Sequence, residues 1–326
     1  MGTGRGARGR RATTTALLAA TVTAALAAGC TGGGGPGDDG RGSAKESRQE
    51  SSSQAGPSAL AVKIDNAVRA RPHTGIDAAD VVYAEQVEGG LSRLMAVYAT
   101  RLPETVGPVR SARESDLELL RQFGRPTLAF SGAQKKLLPL IDKAPLRAET
   151  PDNAADAYFR GSGRPAPHNL YLRPERIVPE APGKAALTTG FRYGSAPAGG
   201  TATDSRTVRY AAARFTFTWS GARDRWLVGM DGTPATTADG ERMTAATVVV
   251  QYVKVRESAF QDFLGNNTPY TETVGSGKAE VLRGGRAWDV NWEREKAADG
   301  TSFTTGDGAP VNFATGQVWV VFAEAS

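Results

Sequence analysis

Val81-Val82-Tyr83-Ala84-Glu85-Gln86-Val87-Glu88-Gly89-Gly90-Leu91-Ser92-Arg93-Leu94-Met95-Ala96-Val97-Tyr98 holds two apolar, β-branched or aromatic runs on either side of a Gly-Gly turn. Short apolar runs bounded by turn residues are the pattern of buried strands. Leu60 to Ile64 and Thr127 to Phe130 are further strand candidates. Between them, Ser111-Ala112-Arg113-Glu114 has the spacing of a capping box, and Leu117, Leu119, Leu120 and Phe123 follow at helical spacing up to Gly124. This predicts a helix over 112–123. Ser131 with Gln134 predicts a second, shorter helix ended by Pro139. Strands and helices so interleaved make residues 59–173 a mixed α/β domain.

The texture then changes. Residues 174–205 are rich in Pro, Gly and Ala and read as a connector. Beyond them Phe215, Phe217 and Trp219 alternate with Thr, Thr247 to Val255 is β-branched, and Asp231-Gly232, Asp239-Gly240, Gly284-Gly285 and Asp307-Gly308 mark turns. Residues 206–326 are therefore expected to form a mostly antiparallel β domain, giving an α+β chain. All five tryptophans fall there. Core packing accounts for them better than a sugar-stacking face, because alternation with Thr or Asp turns several inward.

The first 29 residues carry Arg5, Arg8, Arg10 and Arg11, no acid, and a 17-residue apolar stretch from Ala12 to Ala28. That is the charged and apolar pair of regions of a signal peptide. Leu26-Ala27-Ala28-Gly29-Cys30 resembles a lipobox, so Cys30 is expected to be lipidated, tethering the mature chain to the outer face of the cell membrane. Cys30 is the only cysteine, which leaves no disulfide or thiolate metal site. Residues 30–58 are almost devoid of apolar side chains and read as a Gly/Ser-rich tether with an r.m.s. span of roughly 30 Å. The whole chain is +5, and without the four signal arginines it is nearly neutral, which argues against nucleic-acid binding. No metal or cofactor is called for.

Several stretches together resemble a known family: Ile64-Asp65-Asn66, Ala70-Arg71-Pro72-His73-Thr74-Gly75-Ile76, Ala79-Asp80-Val81-Val82-Tyr83-Ala84-Glu85, Glu88-Gly89-Gly90-Leu91-Ser92-Arg93 and Gly107-Pro108-Val109-Arg110-Ser111-Ala112-Arg113. They are similar to the N-terminal domain of the YerB-like lipoproteins. Thr247 to Val255, the 285–292 segment and Gly316-Gln317-Val318-Trp319 are similar to that family's C-terminal domain. The resemblance implies a two-domain extracytoplasmic lipoprotein and assigns no reaction.

Chemistry must come from the residues. Arg110, Ser111 and Arg113 at a predicted helix start would offer guanidinium forks and backbone N–H groups to a carboxylate or phosphate; the alternative is that Arg113 pairs with an acid while Ser111 only caps. Arg93, Glu85 and Glu88 surround the Gly-Gly turn, either as a charged sheet end or as surface charge. Asp65 and Asn66 end the first strand. His73 and His168 are the only histidines, and His168 is followed by Asn169. Three functions compete: binding of an anionic envelope ligand by the α/β domain, a hydrolase using His73 or His168 with Glu85 or Glu88, and a scaffold for another envelope protein. Convergence of the arginines and histidines on one pocket, with or without a poised acid and base, separates them.

Cys30→Ser is expected to abolish incorporation of a labelled lipid precursor and to move the protein out of the membrane fraction. Unchanged labelling refutes the anchor.

Overall fold

The computed structural model describes residues 1–2, 58–262 and 265–325; the signal, the lipidation site Cys30 and nearly all of the expected tether lie outside the described residues. The N-terminal half contributes β1 (Leu60–Asp65), β2 (Val81–Gln86), β3 (Ser92–Tyr98), α1 (Glu114–Leu120), β4 (Thr127–Ala129), α2 (Leu138–Lys143), β5 (Arg147–Glu149) and a small pair, β6 (Tyr158–Arg160) with β7 (Leu170–Leu172). The C-terminal half contributes β8 (Ser205–Arg209), β9 (Arg214–Ser220), β10 (Arg225–Met230), β11 (Thr247–Val253), β12 (Val255–Gln261), β13 (Asn267–Thr271), β14 (Gly275–Arg283), β15 (Arg286–Arg294), β16 (Ser302–Thr304) and β17 (Val318–Glu324).

One large sheet runs through both halves in the order β16-β15-β14-β11-β17-β2-β3-β1-β4-β5. Its N-terminal part is mixed: β3 is antiparallel to β1 and β2, while β4 and β5 run parallel to β1. Its C-terminal part is antiparallel from β11 through β16. The last strand, β17, joins them, pairing parallel with β2 on one side (Val81 opposite Val318) and β11 on the other (Thr247 opposite Val318). A second, antiparallel sheet of β8, β9 and β10, with the short strands Thr233–Pro234 and Thr244–Ala245, covers one face.

Burial explains the sequence pattern. One face of the large sheet presents Val62, Ile64, Val82, Ala84, Leu94, Ala96, Trp319 and Val321 to Phe215, Phe217 and Trp226 of the second sheet. The other presents Ala61, Val81, Tyr83, Met95 and Val97 to Leu119, Leu120, Phe123 and Ile141 of the helical side. Strands covered on both faces become continuous apolar runs, as in β2 and β3, whereas one-sided β9 alternates Phe with Thr. Gly89 and Gly90, at φ 67° and 69°, make the turn between β2 and β3 in the left-handed region. Trp226, Trp288, Trp292 and Trp319 are buried, and Trp219 packs at a tilt of 57° against Trp226, 5.3 Å between ring centroids.

Three expectations change. The first helix starts at Glu114 rather than residue 112 and passes into a 3-10 turn at Arg121–Phe123, because Asp116, not Ser111, caps it by accepting the Arg113 N–H at 2.7 Å. Pro139 begins α2 instead of ending a helix, since a first-turn residue has no intrahelical N–H partner to lose. The 174–205 stretch is not a gap between separate cores. Ile177, Ala186 and Thr189 are buried, Thr201–Ala202 pairs with β15, and β2 and β17 lie side by side.

Single-site proteolysis in the exposed 194–199 turn is therefore expected to leave both fragments co-eluting under native conditions and unfolding in one thermal transition. Separation of the fragments refutes a shared core.

Candidate functional site

The carboxyl ends of β1 and β2, where clefts form in sheets with parallel strands, carry a row of charge. Alternation puts Lys63 and Asp65 on one face of β1, and register sets Arg93 of β3 between Asp65 and Glu85. All four are buried.

Lys63, with no exposed surface, bonds to Glu85 and to Asp116 Oδ1, the latter at 2.6 Å. Ser115 donates to the second Glu85 oxygen at 2.9 Å. Burial pulls the Lys63 ammonium down, but Asp116 and Glu85 outweigh it and raise its pKa. Burial pushes the Asp116 carboxyl up against the pull of Lys63, and Glu85 adds to the rise. One cation shared by two buried carboxylates makes the rise of Asp116 physically reasonable.

Asp65, also with no exposed surface, is the second focus. His168 Nδ1 lies 2.7 Å and Arg110 Nε 3.4 Å from its Oδ2, while Arg93 Nη1 lies 3.5 Å from Oδ1. The Ala67 N–H donates to Oδ1 at 3.1 Å. Burial raises the Asp65 carboxyl, but Arg93, the His168 bond, the Ala67 N–H and Arg110 together hold it below the ordinary carboxylate value. Arg110 is placed by the backbone of its own string: the Asp65 N–H donates to Pro108 O and the Arg110 N–H to Lys63 O, both at 2.8 Å, and the Ser131 N–H donates to Arg110 O at 3.0 Å.

Arg113 is fully engaged. Its Nε and Nη2 form a fork on Glu88 at 2.6 and 2.8 Å, and its Nη1 donates to the carbonyls of Ser111 and Ala112. Thr268 of β13 donates to the same Glu88 at 2.6 Å. Burial raises the Glu88 carboxyl, but the Arg113 bond prevails and lowers it.

Above these groups opens a cavity of about 820 Å³. Arg93, Arg110, Ser111 and Arg113 line it with Glu88, and Lys135 and Lys136 add positive charge. The β12–β13 hairpin supplies a wall through Phe260, Gln261, Asp262, Asn266 and Thr268. Arg93 is 6% exposed, and its Nε has no hydrogen-bond partner.

The other expected site residues serve the fold. Asn66 donates to Ser92 Oγ at 2.8 Å and accepts from Arg71. Asn169 accepts from Arg160 and donates to Gly161 O, closing the 161–169 loop. His73 Nε2 meets Asp65 O at 2.9 Å and borders a separate cavity of about 260 Å³. Among the described residues no hydrogen bond joins either histidine to Glu85 or Glu88. Lys63, Asp116, Gln134, Lys135, Lys136 and the hairpin were not expected. A lysine inside the apolar run Leu60 to Ile64 was the one available signal, since it demands buried acids.

These features define a mixed-sheet protein with an arginine-lined cleft at its strand ends. Residues 45–187 match the N-terminal domain, and residues 206–320 the C-terminal domain, of the family described as "Protein of unknown function (DUF3048)", and the chain belongs to this two-domain, YerB-like family. It is 24% identical over 276 residues to "Putative lipoprotein YerB" of Bacillus subtilis (strain 168), covering 80% of each protein. Its fold matches the crystal structure of YerB protein from Bacillus subtilis with a TM-score of 0.69 at 19% identity, over 82% of this chain and 91% of that one.

Burial lowers the His73 pKa to about 4, with Arg71 and Arg164 adding to the fall. A histidine that loses proton affinity on folding stabilises the protein above its ordinary pKa near 6.5, and that stability is lost as pH falls towards 4. Asp116, shifted upward, acts in the opposite sense over part of this range, so His73 is isolated by difference. The stability advantage of wild type over His73→Gln should shrink by roughly 3 kcal/mol between pH 7 and pH 4; a gap independent of pH would show that His73 is not held neutral.

Proposed function

We propose that this chain is an exported lipoprotein, anchored through Cys30 at the outer face of the cell membrane, whose cavity binds an anionic envelope ligand. The signal-like first 29 residues and the named lipoprotein relative support the location. No helix among the described residues is long and apolar enough to cross a membrane.

The observation that carries the binding reading is the contrast among three arginines lining one cavity. Arg113 is forked on a carboxylate at 2.6 and 2.8 Å. Arg93 and Arg110 share one carboxylate at 3.5 and 3.4 Å, beyond the usual 2.7–2.9 Å of a charge-assisted bond. Their guanidiniums are held in place with donors left over, as a receptor for an oxyanion requires. The site differs from a helix-terminus site, because α1 is capped by its own Asp116. The acid-base reading lacks geometric support: Glu85 is held by Lys63 and Ser115, and Glu88 by Arg113 and Thr268.

Charge-assisted hydrogen bonds contribute about 1.5–3 kcal/mol each, so Arg110→Ala should weaken the anion at least about tenfold while costing the free protein less stability than Arg113→Ala, because Asp65 keeps Arg93, His168 and the Ala67 N–H. Arg113→Ala should instead lower the melting temperature, since leaving a buried acid without its partner costs about 3 kcal/mol. Thermal unfolding with phosphate, teichoic-acid-like polyphosphate and wall fragments reads both effects. If no anion stabilises the wild type, the scaffold reading takes its place.

A further inference from the structure

The cavity holds more than a place for charge, and its remaining walls describe the rest of the ligand. Resting on the binding reading above, we infer that the ligand is an anionic amphiphile: a phosphate headgroup bearing a hydrogen-bond donor, on an apolar chain.

Size comes first. At about 30 Å³ for each water-sized group, a cavity of about 820 Å³ has room for roughly two dozen non-hydrogen atoms, far more than a free phosphate has. Leu91, Ala112, Ala133, Leu137 and Phe260 line it alongside the cations. Leu91 is 41% exposed, so its apolar surface is available to a chain. Apolar lining with a few convergent polar groups is the usual composition of a site for a molecule of this size.

Two buried polar atoms complete the description. Arg93 Nε lacks an acceptor, and an oxyanion supplies one. Gln134 Oε1 is also buried without a partner, and its orientation is set because the amide nitrogen donates to Gln261 O at 2.5 Å. The protein leaves that oxygen without a donor, and a hydroxyl on the headgroup is the group that would match it. Three acids lie in the lining, Glu88 paired with Arg113 and Thr268, Glu114 accepting from Ser258 at 2.6 Å and Asp262 accepting from Asn266; against these and the buried Asp65 stand five cations, Arg93, Arg110, Arg113, Lys135 and Lys136. The net charge facing the ligand is therefore positive.

The test compares three probes on the full mature protein by calorimetry: inorganic phosphate, glycerol phosphate and octanoyl glycerol phosphate below its micelle concentration. Affinity should rise along the series, with the octanoyl compound at least tenfold tighter than glycerol phosphate. Leu91→Ser should remove most of that last gain without changing affinity for glycerol phosphate, and Phe260→Ser provides a second, independent variant. Arg110→Ala should weaken all three probes. Equal affinity for glycerol phosphate and its octanoyl ester, or a gain that survives both Ser variants, overturns the amphiphile. Failure of all three probes to bind overturns the anion site itself.

Discussion

A carboxylate with no access to water, Asp65, sets the terms for this end of the molecule. Burying an ionised group is costly unless charge and hydrogen bonds surround it. The four groups that surround Asp65 come from four places in the chain: Ala67 just beyond β1, Arg93 at the start of β3, Arg110 in the 107–113 string and His168 in the 161–169 loop. The string is also tied to β1 by backbone bonds, and the loop is closed on itself by Asn169. Loss of the carboxylate would leave two arginines facing each other across a largely buried space, so the placement of the cleft depends on Asp65 more than on any ligand-facing residue.

The neighbouring acids are answered largely from the other half of the chain. Thr268 donates to Glu88, Ser258 to Glu114, and Tyr270 and Thr273 to Glu118, while Arg294 donates to the Glu118 carbonyl. The hairpin that walls the cavity is thus fixed by hydroxyls meeting carboxylates on the opposite half. Together with β17, which is inserted between β2 and β11, these contacts join the two family domains into one compact unit that carries the cleft. The C-terminal half is part of the site rather than a support for it.

Much of this fold was legible because local rules act locally. The runs in β1 to β4, the alternation in β9 and the turn at Gly89-Gly90 are short-range patterns, and burial on both faces accounts for those that do not alternate. The α1 start was misread because Ser111 and Glu114 fit a capping spacing while Asp116, two residues later, makes the bond. Pro139 reads as a stop when the helix is placed before it, but α2 begins only at Leu138, where a first-turn proline is tolerated. The shared sheet was not legible at all: β2 and β17 pair across more than two hundred residues, and no composition records a pairing partner. At the site, the arginines stood out by type, but which of them is occupied depends on Glu88 and Asp65, whose contacts are tertiary. His73 and His168 looked equivalent in sequence, yet one meets the backbone of Asp65 and the other its carboxylate.

That division among similar residues also bears on what the cleft can do. A catalytic acid and base need carboxyls or imidazoles with a free proton site aimed at substrate. Here Glu85, Glu88 and Asp116 each face a cation or several donors, and their oxygens are committed as acceptors to holding the fold. What remains uncommitted is donor capacity, on Arg93 and Arg110. A receptor whose charged groups are fixed before the ligand arrives avoids the ordering cost of assembling them on binding. Asp65 achieves this by attracting two guanidiniums from 3.4 and 3.5 Å without saturating either, which leaves donors for the proposed anion.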